Sequence, residues 1–442
     1  MKDDVTGTYV PKTAYLDMIQ VRRIENPKGV WRSAGNSDNF HVTLMRLPYD
    51  DAEDFKPFNS EGAWSATIVE GGDDFITLRS TVEGSGSDNA QQTGVKSIEG
   101  AGEHPIDFWI DFKGTIPEGA TPRCAIVRVR YHNYTCEHDI FVRQGYAPIT
   151  INGNAESNNN PAWTSYNVYR FDANNAPVYT KSPLEEGSLF RRGNRTAILA
   201  SNNDRSGFTF GVEPTGSFNV LEFGSATTSQ KTWSQLAPSA DDVKSRFASW
   251  SIAGDHERIA TIEDFYTLES TSIHSNINKA YGVLYGDGAT ETQKSVKEAF
   301  GYDHNEDPTN SKNGMRGCFV FNVNTSRNIF FPIGKSGYGR RKGMTSNGEK
   351  VGTLRYAQRT DYYNNDGTGN IQYVPLFYDL FERPGAIYQC RNRLESTNNE
   401  VKNSSAFDIN YFTMGFEGFE NGASNNNNGS DSDACFIRTV KY

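Results

Sequence analysis

Residues 123–144 read RCAIVRVRYHNYTCEHDIFVRQ. Ala125, Val127, Val129 and Tyr131 recur at every second position, the period that places side chains on one face of an extended strand. The chain then turns at His132-Asn133-Tyr134 and returns through Ile140, Phe141 and Val142, so the segment is expected to be a β-hairpin. That pairing sets Cys124 opposite a residue well past Cys136, and no bridge between these two cysteines is expected.

Working outward, IDFWIDF at 106–112 puts four apolar residues on one face and Asp107, Trp109 and Asp111 on the other. Trp64, Ala66 and Ile68 alternate likewise, and DDFITL at 73–78 has the form of a turn followed by a strand. Some seven short strands separated by turn signals, from about Tyr9 to Tyr146, predict an antiparallel immunoglobulin-like β-sandwich. The order WSATIVEGGDDFITL, RCAIVRVRYHN, IFVRQG resembles the BACON domains, small sandwiches of surface and secreted Bacteroidetes proteins. The reading taken here is a spacer rather than a ligand binder.

The chain of 442 residues has room for two or three cores. Gly and Asn abound, aromatic residues make up 12%, and helical periodicity is scarce, which favours β-rich or α+β architecture. A formal net charge of −10 excludes nucleic acid as the expected partner, because binding phosphate needs a basic field. No apolar run reaches the ~18 residues of a membrane span, and Met1-Lys2-Asp3-Asp4 is not a signal peptide. The five cysteines, Cys124, Cys136, Cys318, Cys390 and Cys435, show no CxxC spacing. Cys318 and Cys435 each stand near the start of an alternating strand, which leaves a bridge across one sheet open.

GYAP at 145–148 and NAESNNNP at 154–161 mark a boundary. The expected division is a sandwich at 1–147, a linker at 148–163 and a second domain at 164–442. In the latter, strands at 166–171, 196–200 and 208–212 lead into three helices with capping pairs: Ser239 with Asp242, Thr261 with Asp264, and Thr290 with Gln293. Val243, Phe247 and Trp250 face inward from the first, Ile262, Phe265 and Leu268 from the second, and Val296 and Phe300 from the third. Strands return at 318–323, 328–333, 352–357, 407–412 and 435–440. The fold class expected is mainly β with an α+β C-terminal part.

Helices followed by short strands, long loops and a closing strand resemble a C-type-lectin-like fold. PLEEGSLFRRGN (183–194), RIATIEDFYTL (258–268), GCFVFN (317–322), RNIFFPIGKSGYGRR (327–341) and CFIRTVKY (435–442) follow in the order of the Fibrobacter-type major paralogous domain family and related domains of Bacteroidetes surface and fimbrial tip proteins. The Trp-Ser-Ser usual in that family is missing, and Tyr388-Gln389-Cys390-Arg391 occupies the area. The resemblance implies a ligand surface built by the loops before the final strands. Here those loops supply Gln389, Arg391, Arg393, Asn398, Asn399, Phe412, Phe416, Phe419, Asn421, Asn425, Asn426, Asn427 and Asn428. Arg and aromatic side chains anchor ligands, and Asn adapts its hydrogen bonds; the competing reading tucks Phe412 and Phe416 into the core. The Asn run also resembles the variable segment of lectin-like proteins diversified by retroelements.

Enzyme signatures fail residue by residue. Gly334-Lys335-Ser336 lacks the upstream Gly of a phosphate loop, and Tyr338 stands where a nucleophile elbow needs Gly. His132, Cys136 and His138 supply too few ligands for a transition metal and read as a hairpin with solvated histidines. Asp303-His304-Asn305-Glu306-Asp307 is an oxygen-rich loop without the EF-hand pattern. No catalytic residue, metal or cofactor is therefore expected, and calcium is a chemistry the residues allow but do not support. The expected function is an extracellular adhesin or pilus-tip-type protein binding a glycan or a protein receptor on a host or neighbouring cell, with pilus subunits as further partners. A phage receptor-binding or tail protein is the alternative, and a surface glycan-processing enzyme the third reading.

Overall fold

The computed structural model of the chain describes residues 28–46, 56–72, 74–81, 92–102, 105–153, 160–191, 194–200, 216–236, 256–261, 264–265, 267–268, 276–289, 314–332, 387–389, 406–410, 415–418 and 434–442. These residues are predominantly strand. Helix among them amounts to a 3-10 turn at Ser234–Leu236, a 3-10 residue at Ala200 and two α-helical residues at 264–265. The capping pair expected there does form: the Thr261 N–H donates to Asp264 Oδ2 at 2.7 Å and the Asp264 N–H returns to Thr261 Oγ1 at 3.2 Å. The helices expected from Ser239 and Thr290, and the strands at 208–212 and 352–357, lie outside the described residues.

The expected hairpin is present as Arg123–Tyr131 and Cys136–Gln144, with Tyr131 opposite Cys136 and Cys124 opposite Arg143. His132, Asn133 and Tyr134 turn the chain with φ of 51°, 54° and 66°. Each left-handed residue costs roughly 1–2 kcal/mol, so three in succession need outside support. Loop 60–63 provides it: the Asn133 N–H donates to Ala63 O, the Ala63 N–H to Asn133 Oδ1, and the His132 N–H to Ser60 Oγ.

Around the hairpin, Trp64–Gly71 and Ser97–Gly100 extend one sheet, while Phe40–Thr43, Asp107–Phe112, Ile76–Ser80 and Thr93–Val95 form a second. Inward residues of both sheets, among them Trp64, Phe108, Ile110, Val127 and Val142, share one core, so this part is a β-sandwich. On its outer face the register places Trp109 between His41 and Arg79. The rings of His41 and Trp109 stack at 4.6 Å, and Arg79 is held over Trp109 by its paired bonds to Asp111.

The larger sheet does not stop at the expected boundary. Lys28–Arg32 runs parallel to Cys136–Gln144 on one side and parallel to Ile277–Tyr285 on the other. Met315–Asn322 and Asn328–Pro332 then continue the pairing to an eight-stranded sheet. Strand pairing therefore crosses the division expected at 147–163. Val30 enters the sandwich core, whereas Trp31 packs on the opposite face with Phe141, Leu284, Phe319 and Phe330. Burial on both faces is what a central parallel strand requires. The remaining strands form a five-stranded sheet from Thr228–Thr232 to Ala434–Cys435 and smaller sheets, over a core that contains Trp163, Leu189, Phe265 and Phe331.

Contrary to the expectation of solvated histidines, His132 and His138 are only 5% and 9% exposed, because the hairpin turn folds onto loop 60–63 and His138 points into the sandwich. The His132 Nδ1 accepts the Glu61 N–H at 2.8 Å. Burial, with the Lys28 cation nearby, pushes His138 down from 6.5 to about 4.

Two outcomes follow from this packing. Folded His138 takes its proton only near pH 4, whereas the unfolded chain takes it near 6.5. Its contribution is therefore complete above pH 6.5 and is lost as the pH falls towards 4, by about 3 kcal/mol. Urea unfolding against pH should show this slope in the native chain and a shallower one in His138→Phe. Separately, a β-carbon at Gly29 would strike the Phe319 ring. Gly29→Ala should lower stability by ~1–3 kcal/mol, and Phe319→Leu in the same chain should restore part of it.

Candidate functional site

The C-terminal candidate site stands on a buried arginine. Residues 434–435 pair with Ser188–Arg191, and the chain then leaves that sheet and pairs again as Thr439–Lys441, between Ala162–Trp163 and Glu257–Ile259. The single closing strand expected at 435–440 is thus two short pieces with a crossing between them. Phe436, Ile437, Arg438, Thr439 and Val440 are all buried, so the alternation seen in the sequence does not separate an inner from an outer face.

Arg438, 1% exposed, gives the reason. Its Nε donates to Asn167 Oδ1 at 2.8 Å, Nη1 to Thr164 O at 2.8 Å and Nη2 to Phe330 O at 3.0 Å. The guanidinium also lies 4.8 Å from the Phe331 ring centre and 5.9 Å from that of Tyr388. Burial lowers its pKa. Its acceptors on the 164–167 segment and on Phe330 hold the chain where it leaves one sheet for the next.

Tyr388 is fixed by the same group of residues. It is fully buried, its hydroxyl accepts the Asn167 amide at 3.1 Å, and its ring meets Phe265, Phe331 and Phe436. Burial raises its pKa. Asn167 is held in turn by donating to Glu186 O at 2.7 Å. On this base Ile387–Gln389 pairs with Ala406–Asn410, which pairs with Gly415–Gly418.

Of the residues expected to bind ligand, Gln389 ends the first of these strands, opposite Ala406. Phe416, expected on the polar loop, is instead in a strand, opposite Ile409. The glycines at 415 and 418 concealed it, because a four-residue strand with glycine at both ends has no alternation to read. Arg391, Arg393, Asn398, Asn399, Phe412, Phe419, Asn421 and Asn425 to Asn428 lie outside the described residues. So do 303–307, 334–341 and Cys390.

Among the described residues no three of His, Cys, Asp and Glu stand together so as to hold a metal ion. Cys124, Cys136 and Cys318 are free thiols, which removes the bridge left open between Cys318 and Cys435. Those two lie in different sheets. Burial pushes the Cys318 thiol up to about 12, so it stays protonated and inert at neutral pH. No helix among the described residues is long and apolar enough to cross a membrane.

Replacing Arg438 by Met would leave the Thr164 and Phe330 carbonyls and the Asn167 amide oxygen without these donors, at ~1–3 kcal/mol for each unsatisfied group. Arg438→Met should therefore cost at least about 3 kcal/mol in urea unfolding, and Tyr388→Phe, which removes one hydroxyl, about 1 kcal/mol.

No family model matches the chain, and no curated protein matches it. Among solved structures it has a slight likeness to CBD12 from CALX1.2, at 12% identity and a TM-score of 0.13, over 48% of this chain and 72% of that one. A likeness at that level carries nothing about fold or function, and the β-rich, sandwich-containing architecture rests on the strand pairing itself.

Proposed function

We propose that this chain is an adhesin of the cell-surface or pilus-tip type, which recognises a glycan or a protein receptor through segments near its C-terminus. The sandwich at 1–147 is read as an immunoglobulin-like, BACON-like stalk, and 164–442 as a C-type-lectin-like head. The observation that supports this is the support beneath the sheet of residues 387–389, 406–410 and 415–418: Tyr388 and Arg438 fix its first strand on a fully buried aromatic core. Segment 390–405, which carries Arg391 and Arg393, and the Asn-rich segment 419–433 start or end on those strands. Binding residues displayed from a rigid base lose less freedom on capture of a ligand. An acidic chain with net charge −10 suits a neutral or basic receptor better than a polyanion. Export to the cell surface belongs to the same proposal.

The test is binding of the purified chain to a glycan and mucin panel, beside a form with residues 416–431 replaced by a short Gly-Ser link. Binding that disappears with the segment while the melting temperature holds is the expected outcome. Binding that survives replacement moves the site elsewhere in the chain.

A further inference from the structure

The eight-stranded sheet passes from the sandwich to the second half of the chain through one strand. Lys28–Arg32 lies between Cys136–Gln144 and Ile277–Tyr285 and is parallel to both. Its two ends are held differently. At the far end the Trp31 indole donates to Asn328 Oδ1 at 2.9 Å, and Arg32 donates to the carbonyls of Asp38 and Ala289 at 2.9 and 3.0 Å. At the near end stands a lysine that is only 1% exposed. The alternation that sends Val30 into the sandwich core sends Lys28 there as well, and its ammonium lies 5.4 Å from the centre of the Tyr285 ring.

A second ionisable group shares that pocket. Gly29 is registered with Phe141, so His138 projects from the adjacent strand on the same inward side as Lys28. Its Nδ1 is buried, with no hydrogen-bond partner among the described residues. Tyr131 faces His138 from the other strand of the hairpin, with ring centres 5.8 Å apart. His132 and Phe58 pack on Tyr131, and Phe40 packs on Tyr285. Glu137 and Asp139 flank His138 in sequence but point to the opposite face, where they pair with Arg130 and Arg128. The charged group that bears on His138 is therefore Lys28, and no carboxylate among the described residues balances the two. An imidazolium here would have an N–H without an acceptor and a cation for a neighbour, and both penalties vanish once the pocket opens to water. The near end of Lys28–Arg32, which lacks the anchors of the far end, is where the sheet opens at least cost.

We propose that Lys28 and His138 form an acid-sensitive latch at the junction of the two halves. A proton taken by His138 lets residues 28–30 part from the strands on either side while Trp31 and Arg32 stay anchored. The sign follows from burial, which lowers the pKa of both groups: protonation favours the open form, so opening grows as the pH falls from 6.5 towards 4.

Hydrogen exchange on the full chain, read by mass spectrometry and corrected for the intrinsic pH dependence of exchange, tests this. Between pH 7 and pH 4.5 the protection of Gly29 and Val30 should fall by about fiftyfold, the ratio set by a histidine at 6.5 when open and about 4 when closed. Protection at 108–110, in the second sheet of the sandwich, should fall much less. His138→Phe should abolish the fall at Gly29 and Val30, and Lys28→Met, which removes the neighbouring cation, should reduce it. Because His138→Phe alters a packed core, Lys28→Met is read independently. A fall of equal size at 108–110 would mean that acid loosens the sandwich as a whole and would overturn the latch. So would protection at Gly29 and Val30 that does not change with pH, or a fall that persists undiminished in either variant.

Discussion

A guanidinium taken out of water must recover its N–H hydrogen bonds or it does not stay buried. Arg143 and Arg438 recover theirs chiefly on main-chain carbonyls. Arg143, fully buried beneath the Trp31 ring at 4.6 Å, donates to Gly145 O, Ala147 O, Asn328 O and Ser165 Oγ. Its acceptors thus come from the end of the sandwich, from the segment that follows and from the far edge of the large sheet. Arg438 does the same for Thr164, Asn167 and Phe330. Carbonyls have no charge to neutralise a guanidinium, so each site keeps its cation only while several backbones converge on it. Burial accordingly lowers the pKa of both, that of Arg143 to about 10.

The two sites meet at one strand. Asn328 gives its carbonyl to Arg143 and its side-chain oxygen to the Trp31 indole, and Phe330, two residues on, gives its carbonyl to Arg438. Asn328–Pro332 therefore ties the sandwich to the base of the C-terminal sheet. Lys28–Arg32 completes the tie from the other direction, with Arg32 donating to the carbonyls of Asp38 and Ala289. The sandwich and the base of the C-terminal sheet thus belong to one continuous hydrogen-bonded structure.

Much of the sandwich was legible because its determinants are local. The alternation at 106–112 and 123–131 assigns each side chain to a face with no reference to the rest of the chain, and the strands appear where it places them. The Thr261 and Asp264 cap was legible for the same reason, since its two partners lie three residues apart. The closing segment was not. Arg438 alternates with apolar neighbours as a surface residue of a strand would, and its burial depends on acceptors 108 to 274 positions away.

By itself the sequence determined a β-rich chain, a hairpin at 123–144 with its turn at His132-Asn133-Tyr134, and an acidic surface, since period, turn chemistry and charge are properties of neighbouring residues. Only the tertiary structure decided that the sandwich shares a sheet with the second half, that Arg32, Arg143 and Arg438 are buried on carbonyls, and that the last strand is broken. Those depend on hydrogen-bond partners brought together by pairing between distant strands, and a linear pattern of polar and apolar residues carries no record of which distant backbone will face which side chain.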